Sequence, residues 1–230
     1  MNFDVIIQCR FYSTRLPGKI LIPLNKTLTS LDILIKNLKL IKQINRVILA
    51  VPNDDKYKLF NKISKKYDIK CYAPKCKPEN VLKRFFLTSK KFNSENIIRI
   101  TSDCPFINIY MIKEMILFYK KNKLNFLTNN KPRRVPHGFD CEIFNKDLLN
   151  EAYLKAKSSY DMEHVTPWIY KNYFKKKNNI SLIKENFSKL RITLDFINDY
   201  LYFVTNFKIL KKISISRNFV KLLKNLNKIK

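Results

Sequence analysis

Apolar runs that suit buried strands alternate with amphipathic helical stretches along residues 1–130. Val5–Ile7 is the first apolar run. Between such runs, apolar residues recur three and four positions apart, as at Leu31, Leu34 and Leu38, which places them on one face of a helix. This alternation is typical of βαβ units. It predicts an α/β fold with a mostly parallel, twisted sheet and helices on both faces.

The individual elements follow from the same two periodicities. Strands are predicted at residues 5–7, 46–51, 69–72, 96–101, 126–128, 141–144 and 190–195. Helices are predicted with Ser30 as a cap, over 57–67, with Pro78 in the first turn, from Asn108, Lys146 and Glu163, and over 198–210 and 216–227. No repeat or linker interrupts the pattern, so residues 1–230 are expected to form one domain. The basic stretch 208–230 is expected to dock as a helix, with a disordered or RNA-binding tail as the alternative.

The charge of the chain is strongly unbalanced. It carries 46 Lys and Arg against 18 Asp and Glu, a formal net charge of +28. Such a surface attracts phosphate groups without regard to sequence, which leaves a nucleic-acid-binding protein as one alternative. Lysine, asparagine and isoleucine are nevertheless overused along the whole chain, and no RNA- or DNA-binding motif accompanies the charge. The charge by itself therefore identifies no partner.

The five cysteines are odd in number and never spaced as CxxC, which predicts neither a disulfide framework nor a zinc ribbon. No apolar run reaches the roughly 20 residues that cross a bilayer. The first residues are acidic and strand-like rather than a basic leader followed by an apolar stretch. We therefore expect a cytoplasmic protein with no membrane partner.

The segment after the first strand concentrates cations and hydroxyl groups on a bend. Arg10, Arg15 and Lys19 can neutralise a triphosphate, and main-chain amides of the bend can cradle its oxygens. The alternative is that they face solvent, as cations in a basic chain usually do. The bend closes on Gly18, and the only other glycine in the chain is Gly138. A glycine in so glycine-poor a chain indicates a positive φ or a close approach of the backbone.

Two carboxylates follow strands farther along the chain. Asp103 comes just after the strand 96–101, and Asp195 ends the predicted strand 190–195. In open α/β sheets ligands bind beyond the carboxyl ends of the strands, so both side chains are expected at one edge. Two carboxylates that face a polyphosphate commonly hold Mg²⁺ and leave positions for water and phosphate. A single aspartate after a strand is also commonly a helix or turn cap, so the two positions are candidates for holding Mg²⁺ at this point.

Residues 6–19 read IIQCRFYSTRLPGK and resemble the signature loop of the sugar-activating cytidylyltransferases. This group includes spore-coat polysaccharide, acylneuraminate and CMP-Kdo synthetase-like enzymes. Five further blocks follow in the family's order: NDD at 53–55, RITSDCP at 99–105, PHGFDCEIF at 136–144, EHVTP at 163–167 and LRITLD at 190–195. Any one block is weak. Six in register over nearly the whole chain make the resemblance specific at the family level, and it is greatest to the spore-coat branch.

The resemblance implies a Rossmann-like nucleotidyltransferase of the nucleotide-sugar transferase type. Its reaction would transfer CMP from CTP to a sugar-like acceptor and release pyrophosphate, in polysaccharide or glycoconjugate biosynthesis. Asp103 and Asp195 match the family's metal-binding aspartates, which implies Mg²⁺ as the cofactor. Arg15 and Lys19 would join them as catalytic residues. CTP and the acceptor would be the partners, and a homodimer is compatible with the resemblance.

Further residues are assigned to the two substrates on the same basis. The nucleotide is expected to contact Gln8, Arg10, Ser13, Thr14, Gly18, Asn80 and Arg84. Within this set, Gln8, Asn80 and Arg84 are the candidates for reading the base. The acceptor is expected to contact Arg134, His137, Gly138, Glu142 and His164. The neighbouring pair of Arg133 and Arg134 indicates an anionic acceptor, either a carboxylate or a phosphate.

Tyr12 stands where the spore-coat branch usually has glycine, so a positive φ at that position would strain the loop. Cys104 and Cys141 are interpreted as small buried side chains rather than nucleophiles, because the predicted site consists of carboxylates, Arg and Lys. The alternative enzyme is a glycosyltransferase on the same nucleotide-binding fold, which would release a nucleoside diphosphate instead of pyrophosphate.

Overall fold

One six-stranded sheet organises the computed structural model, which describes residues 1–228. The strands are β1 (Phe3–Gln8), β2 (Ile44–Ala50), β3 (Lys70–Tyr72), β4 (Asn96–Thr101), β5 (Phe126–Thr128) and β6 (Glu142–Asn145). Their order is β3-β2-β1-β4-β6-β5. β1 pairs in parallel with β2 and β4, and β3 pairs in parallel with β2. β6 is antiparallel to both neighbours, so the predicted mostly parallel sheet is confirmed.

Ten helices accompany the strands in the described part of the chain. They are α1 (Ser30–Lys39), α2 (Tyr57–Tyr67), α3 (Val81–Phe92), α4 (Ile109–Lys121), α5 (Lys146–Lys155), α6 (Ser159–His164), α7 (Pro167–Tyr173), α8 (Ile197–Thr205), α9 (Phe207–Ile215) and α10 (Phe219–Lys228). Short 3-10 helices occupy Lys19–Leu21 and Lys176–Asn178. None of the described helices combines the length and apolar character that a membrane span requires.

The central strand β1 shows why helices cover both faces of the sheet. Successive side chains of a strand point to opposite faces, so a strand buried on both faces is continuously apolar. Val5 and Ile7 belong to a core layer shared with α1, α4, α9 and α10. Ile6 belongs to the opposite layer, with α3, α5 and α7. The predicted two-sided arrangement is therefore confirmed.

Two helix starts differ from the prediction because neighbouring residues make better caps. α1 is capped by Thr29 rather than Ser30: the Thr29 hydroxyl accepts from the Asp32 amide at 3.1 Å, and the Asp32 carboxylate accepts from the Thr29 amide at 2.9 Å. α3 begins at Val81, after the cap Asn80, so Pro78 lies before the helix rather than in its first turn. A side-chain oxygen that satisfies a free helical amide decides where each helix begins.

The predicted strand 190–195 is wrong, since this segment makes only one isolated bridge, between His137 and Arg191. Two backbone hydrogen bonds make this bridge. The His137 amide donates to the Leu190 carbonyl at 2.9 Å, and the Ile192 amide donates to the His137 carbonyl at 2.8 Å. Asp195 is thereby carried to the sheet edge without joining the sheet.

Helix boundaries in the last third of the chain also differ from the prediction. The helix expected from Glu163 is divided, because α6 ends at His164 and Val165 takes a positive φ of 70° before α7 begins. The helix expected over 198–210 is interrupted at Asn206, between α8 and α9. The basic tail docks as predicted, with Leu223 and Leu226 buried. Residues 229–230 lie outside the described part of the chain.

Candidate active site

The ends of β1 and β4 open onto a loop that turns back on itself at Gly18. The Gly18 amide donates to the Phe11 carbonyl at 2.9 Å, and Gly18 has a φ of 68°. A Cβ at this position would meet only the Phe11 ring, at 3.4 Å. The predicted need for glycine is therefore confirmed, and its cause is the left-handed backbone rather than lack of space.

Lys19 lies immediately after this turn and brings the two predicted aspartates together. Its Nζ donates to Oδ2 of Asp103 at 3.0 Å and to Oδ1 of Asp195 at 2.8 Å. Lys19 is only 7% exposed. Asp103 follows β4, and its main-chain carbonyl accepts from the Leu194 amide at 2.9 Å. The loop bearing Asp195 is therefore tied to Asp103 by both its backbone and its side chain.

Asp195 is surrounded by cations. In addition to Lys19, Nη2 of Arg15 donates to its Oδ1 at 2.7 Å, and Nη2 of Arg191 donates to its Oδ2. Burial acts to raise the pKa of Asp195, but the hydrogen bond and charge of Lys19, the charge of Arg15 and the hydrogen bond from Arg191 hold it below its ordinary value. Asp195 is therefore a permanent anion at neutral pH.

Two members of this cluster, Arg191 and Asp199, were missed by the sequence reasoning. Oδ2 of Asp199 accepts from the amides of Asp195 and Phe196, at 2.8 and 2.9 Å, at the start of α8. Its Oδ1 accepts from Nε of Arg191 at 3.4 Å. The detectable signal was the spacing, because Arg191, Asp195 and Asp199 recur every four residues around a helix start.

The remaining signature-loop residues flank this cluster. Arg10, Thr14 and Arg15 are exposed, whereas Ser13 is buried. Tyr12 is not among the described residues with positive φ, so it takes the place of the usual glycine without backbone strain. Its hydroxyl donates to Asp55, with O···O distances of 2.9 and 3.0 Å. The NDD block after β2 therefore anchors this side of the loop.

The three predicted base-reading residues, Gln8, Asn80 and Arg84, differ in their hydrogen-bond partners. Arg84 is fully buried, and its Nη1 donates to the Pro78 carbonyl at 3.0 Å. Its Nε and Nη2 have no partner among the described residues. Burial lowers the pKa of Arg84. Asn80 caps α3 by accepting from the Lys83 amide at 2.9 Å, and Oε1 of Gln8 accepts from Arg99 at 3.2 Å.

A depression of about 640 Å³ lies beside Arg99 of β4. Its lining residues are Arg99, Asn130, Lys131, Arg133, Tyr160, His164, Thr166, Pro167, Tyr170 and Lys171. We call it the basic cleft. Within this lining, Arg99, Lys131, Arg133 and Lys171 are cations and no residue is acidic. The cleft therefore favours an anionic ligand.

Glu142 lies beneath the basic cleft rather than in it. Its Oε2 accepts from Nη1 of Arg99 at 2.7 Å, and its Oε1 accepts from the Thr166 hydroxyl at 2.9 Å. Nε of Arg99 is buried and has no partner among the described residues. Glu142 therefore holds Arg99 and Thr166 at the cleft wall, and the sequence reasoning missed both of these residues.

Of the other predicted acceptor residues, only His164 lines this cleft. Arg134 points away and donates to the Lys184 carbonyl at 2.6 Å. His137 pairs through its backbone with the loop that carries Asp195. Burial and the charge of Arg133 lower the pKa of His137, so its ring is neutral at pH 7. Gly138 has a φ of 99° and touches the same loop.

The cysteines do not provide a nucleophile at this edge. Cys104 and Cys141 are buried, as predicted, and burial raises the pKa of both thiols. Residues 1–228 contain no group of three or more His, Cys, Asp or Glu side chains that could hold a metal ion.

Comparison with known proteins finds relatives along most of the chain. The sequence model of the family described as Cytidylyltransferase matches residues 5–229. The spore coat polysaccharide biosynthesis protein SpsF of Bacillus subtilis (strain 168) is 28% identical over 211 residues, covering 85% of this chain and 82% of SpsF. The 3-deoxy-manno-octulosonate cytidylyltransferase of Wigglesworthia glossinidia brevipalpis is 27% identical over 186 residues, covering 77% of this chain and 72% of that enzyme.

The fold has a solved counterpart with the same extent. A cytidylyltransferase from Leptospira borgpetersenii serovar Hardjo-bovis (strain JB197) superposes with a TM-score of 0.87 at 29% identity. The match covers 99% of this chain and 94% of that chain. The similarity therefore includes the sheet, the signature loop and the segments that carry both aspartates.

Proposed function

Because the chain belongs to the cytidylyltransferase family, we propose that it transfers CMP from CTP to an anionic, sugar-like acceptor and releases pyrophosphate. The observation that carries this proposal is the contact of Lys19 with both Asp103 and Asp195 beneath the signature loop. We assign the reaction to polysaccharide or glycoconjugate biosynthesis, since SpsF is a spore coat polysaccharide biosynthesis protein. Residues 1–230 act in this proposal as one cytidylyltransferase domain.

Magnesium fits the donor set at this edge. The ammonium group of Lys19 lies within 3.0 Å of an oxygen of each aspartate, so this point already attracts a cation between two carboxylates. Mg²⁺ prefers oxygen ligands and usually takes only one or two carboxylates, together with waters and substrate phosphates. Asp103 and Asp195 would hold the ion, which when bound supplies positive charge to the phosphate oxygens.

The cations of the signature loop would bind the triphosphate. An acceptor oxygen attacks the α-phosphorus in line, the bond to the β-phosphate oxygen breaks, and charge accumulates on the leaving pyrophosphate. Lys19 and Arg15 stabilise that charge, while the exposed Arg10 and Thr14 contact the outer phosphates. Ser13 and Gly18 shape the turn. Catalysis then depends on position and electrostatics, without a covalent intermediate.

The buried Arg84 supports recognition of the base. Two of its guanidinium nitrogens lack partners among the described residues, and a buried donor without a partner costs about 1–3 kcal/mol. A cytosine carbonyl supplies the missing acceptor. Gln8 and Asn80 remain in the proposal as neighbours that orient this region, although the side chain of each already accepts a hydrogen bond within the protein.

The acceptor would bind in the basic cleft. Arg99, Arg133 and His164 line it, and the buried Nε of Arg99 has no partner among the described residues. A carboxylate or phosphate on the acceptor would attract Lys131 and Lys171 and would add to the ion pairs that Arg99 and Arg133 already make with Glu142 and Asp140. Glu142 contributes by holding Arg99, while His137 and Gly138 support the loop of Asp195. Arg134 would act only from the margin of the cleft.

The reaction itself is tested by incubating the protein with CTP, Mg²⁺ and a panel of anionic sugars and phosphosugars. Pyrophosphate release that depends on one acceptor supports CMP transfer. Release of a free nucleoside diphosphate from a sugar nucleotide would instead identify a glycosyltransferase. Steeply salt-dependent binding to random RNA without CTP turnover would identify a nucleic-acid-binding protein.

CTP is expected to bind more tightly than ATP, GTP or UTP. The family assignment carries this preference. The proposed base site beside Arg84 should be too small for purines, whereas the Arg84 donors suit a carbonyl of either pyrimidine and do not by themselves separate CTP from UTP. Calorimetry with each nucleotide and Mg²⁺ measures the preference. Equal affinity for ATP or GTP would show that the base assignment is wrong.

Lys19→Ala is expected to lower kcat/KM for CTP at least about tenfold, equivalent to roughly 1.4 kcal/mol. It should also lower the Tm without metal, because two carboxylates then face each other without the cation between them. Added Mg²⁺ should raise the Tm of this variant by more than it raises the Tm of the wild type. Lys121→Ala, at the exposed end of α4, is the matched control. Equal CTP kinetics for the two variants would remove the signature loop from the active site.

The free cysteines support a cytoplasmic location within the same proposal. All five lie in the described part of the chain and none forms a disulfide there. Proteins in reducing compartments keep their thiols in this state.

A homodimer is the assembly that we propose. Ile197, Leu201 and Val204 are exposed on one side of α8, and no Lys or Arg occurs between Arg191 and Lys208. In a chain of charge +28, this face places no lysine or arginine of its own against the same face of a second copy. Leu201→Asp is expected to convert a dimer to a monomer in light scattering, whereas Leu154→Asp on exposed α5 should not. A monomeric wild type would contradict the dimer.

A further inference from the structure

We propose that Arg191 is a positioning residue that immobilises one carboxylate oxygen of Asp195, so that only the other oxygen is offered to the metal and the triphosphate. This inference depends on the proposed CTP-dependent function. It concerns a residue that the sequence reasoning did not select, although it lies in the LRITLD block.

The two oxygens of Asp195 have different neighbours. Oδ1 accepts from Lys19 at 2.8 Å and from Arg15 at 2.7 Å. Both of these cations belong to the signature loop, and in the proposed reaction they stabilise phosphate charge. Oδ2 accepts from Nη2 of Arg191. A substrate that attracts Lys19 and Arg15 would therefore release Oδ1 and leave Oδ2 engaged.

Arg191 is itself fixed at its other end. Its Nε donates to Oδ1 of Asp199 at 3.4 Å, and Oδ2 of Asp199 accepts from the main-chain amides of Asp195 and Phe196. The guanidinium thus lies between a carboxylate that caps the start of α8 and the carboxylate of Asp195. Arg191 and its two partners, Asp195 and Asp199, all lie within residues 191–199. We call these three side chains the clamp.

Neighbouring contacts restrict Arg191 further. Its Cζ lies 5.9 Å from the centroid of the Phe196 ring, and Cζ of Arg15 lies 5.0 Å from the same centroid. The backbone of Arg191 bridges to His137. The side chain is 38% exposed, so the test must separate a positioning role from direct contact with the nucleotide.

A guanidinium is required for this arrangement because it is planar and donates from two separate nitrogens. Nη2 reaches Asp195 and Nε reaches Asp199, and the guanidinium plane holds these two donors at a fixed separation, whereas the donors of an ammonium group all lie on one nitrogen. Mg²⁺ demands near-ideal octahedral geometry, so a carboxylate that rotates freely would bind it less well. Residues that orient metal ligands commonly change metal affinity by about 10–100-fold when they are removed.

The test compares Arg191→Met, Arg191→Lys and Asp199→Asn with the wild type. Asp199→Asn keeps an oxygen that can cap α8 but removes the charge that holds Arg191. Arg217→Met, which removes an exposed arginine on another segment, is the matched control. Mn²⁺ affinity is measured without turnover, in the presence of a non-hydrolysable CTP analogue, and affinity for the analogue is measured without metal. Thermal melting is followed for each variant.

We expect Arg191→Met to weaken Mn²⁺ binding at least about tenfold, with analogue affinity in the absence of metal within about twofold of the wild type. Arg191→Lys should restore only part of the metal affinity, and Asp199→Asn should reproduce the loss if Arg191→Met fails to fold. Arg217→Met should bind Mn²⁺ as the wild type does.

Three results would overturn the inference. Unchanged Mn²⁺ affinity in Arg191→Met and Asp199→Asn would show that the clamp is not needed. Full recovery by Arg191→Lys would show that only charge matters. An equal loss of analogue affinity without metal would place Arg191 directly on the nucleotide. These results all require a wild type that binds both ligands, whereas a wild type that binds neither would refute the proposed function and this inference with it.

Discussion

Replacing Asp195 by Asn is expected to lower kcat for CTP-dependent pyrophosphate release at least about 100-fold. The substitution keeps the size of the side chain and removes the negative charge that Lys19, Arg15 and Arg191 contact. The proposed metal site loses one of its two carboxylates, and the cations lose their common anchor. Steady-state kinetics across a magnesium titration measure the loss.

Asp103→Asn should have a comparable effect on turnover, since Lys19 contacts the two aspartates together. Its effect on stability should be smaller, because the Asp103 side chain is 27% exposed and that of Asp195 only 10%. Asp147→Asn, on the exposed side of α5, controls for loss of one acidic charge. Near wild-type turnover of either active-site variant at saturating Mg²⁺ would show that the paired carboxylates do not hold the metal.

Gly138→Ala is expected to lower the free energy of unfolding by more than about 3 kcal/mol. A Cβ at Gly138 would lie 2.1 Å from the main-chain oxygen of Ile192, and the φ of 99° is itself unfavourable for alanine. Because Ile192 belongs to the loop that carries Asp195, any relief of the clash moves that loop. Pyrophosphate release should therefore fall even in the fraction of protein that remains folded.

Gly18→Ala separates the two causes of the expected loss of stability, which are the positive φ and the steric clash of the added Cβ. Gly18 also has a positive φ, of 68°, but its nearest contact for a Cβ is the Phe11 ring at 3.4 Å. Backbone strain alone should cost about 1 kcal/mol. Urea denaturation of both variants provides the comparison, and an equal loss of stability in the two would show that the Ile192 contact contributes nothing.

Local signals were sufficient for the sheet and for half of the proposed metal site. The apolar runs predicted β1 and β4, and Asp103 follows β4 directly, so its place at the carboxyl edge needed no tertiary information. Asp195 was predicted as a site residue because it ends the expected strand 190–195, and the structure does not form that strand. It reaches the site through backbone contacts with His137 and Asp103, which no local periodicity encodes.

Contacts that depend on strand order could not be read from the sequence. Arg99 on β4 lies opposite Glu142 on β6 because these strands pair antiparallel, although β5 intervenes along the chain. Asn80 illustrates the opposite difficulty: an amide selected as a possible base contact satisfies a helix start instead. Polar residues that follow strands predict which edge of the sheet carries a site. Their hydrogen-bond partners lie on neighbouring strands and loops, whose positions the local sequence pattern does not give.

The antiparallel direction of β6 has a consequence for how enzymes of this kind can diverge. β5 ends and β6 begins at the same edge of the sheet, since the two strands are antiparallel neighbours. Residues 129–141 therefore leave the sheet and return to it at the edge where Asp103 lies, and they supply Asn130, Lys131 and Arg133 to the basic cleft. A change in the length or composition of this excursion leaves the register of β1 and β4 intact. In the proposed function, the part of this excursion before His137 can change with the acceptor, whereas His137 and Gly138 are constrained by their contacts with the loop that carries Asp195.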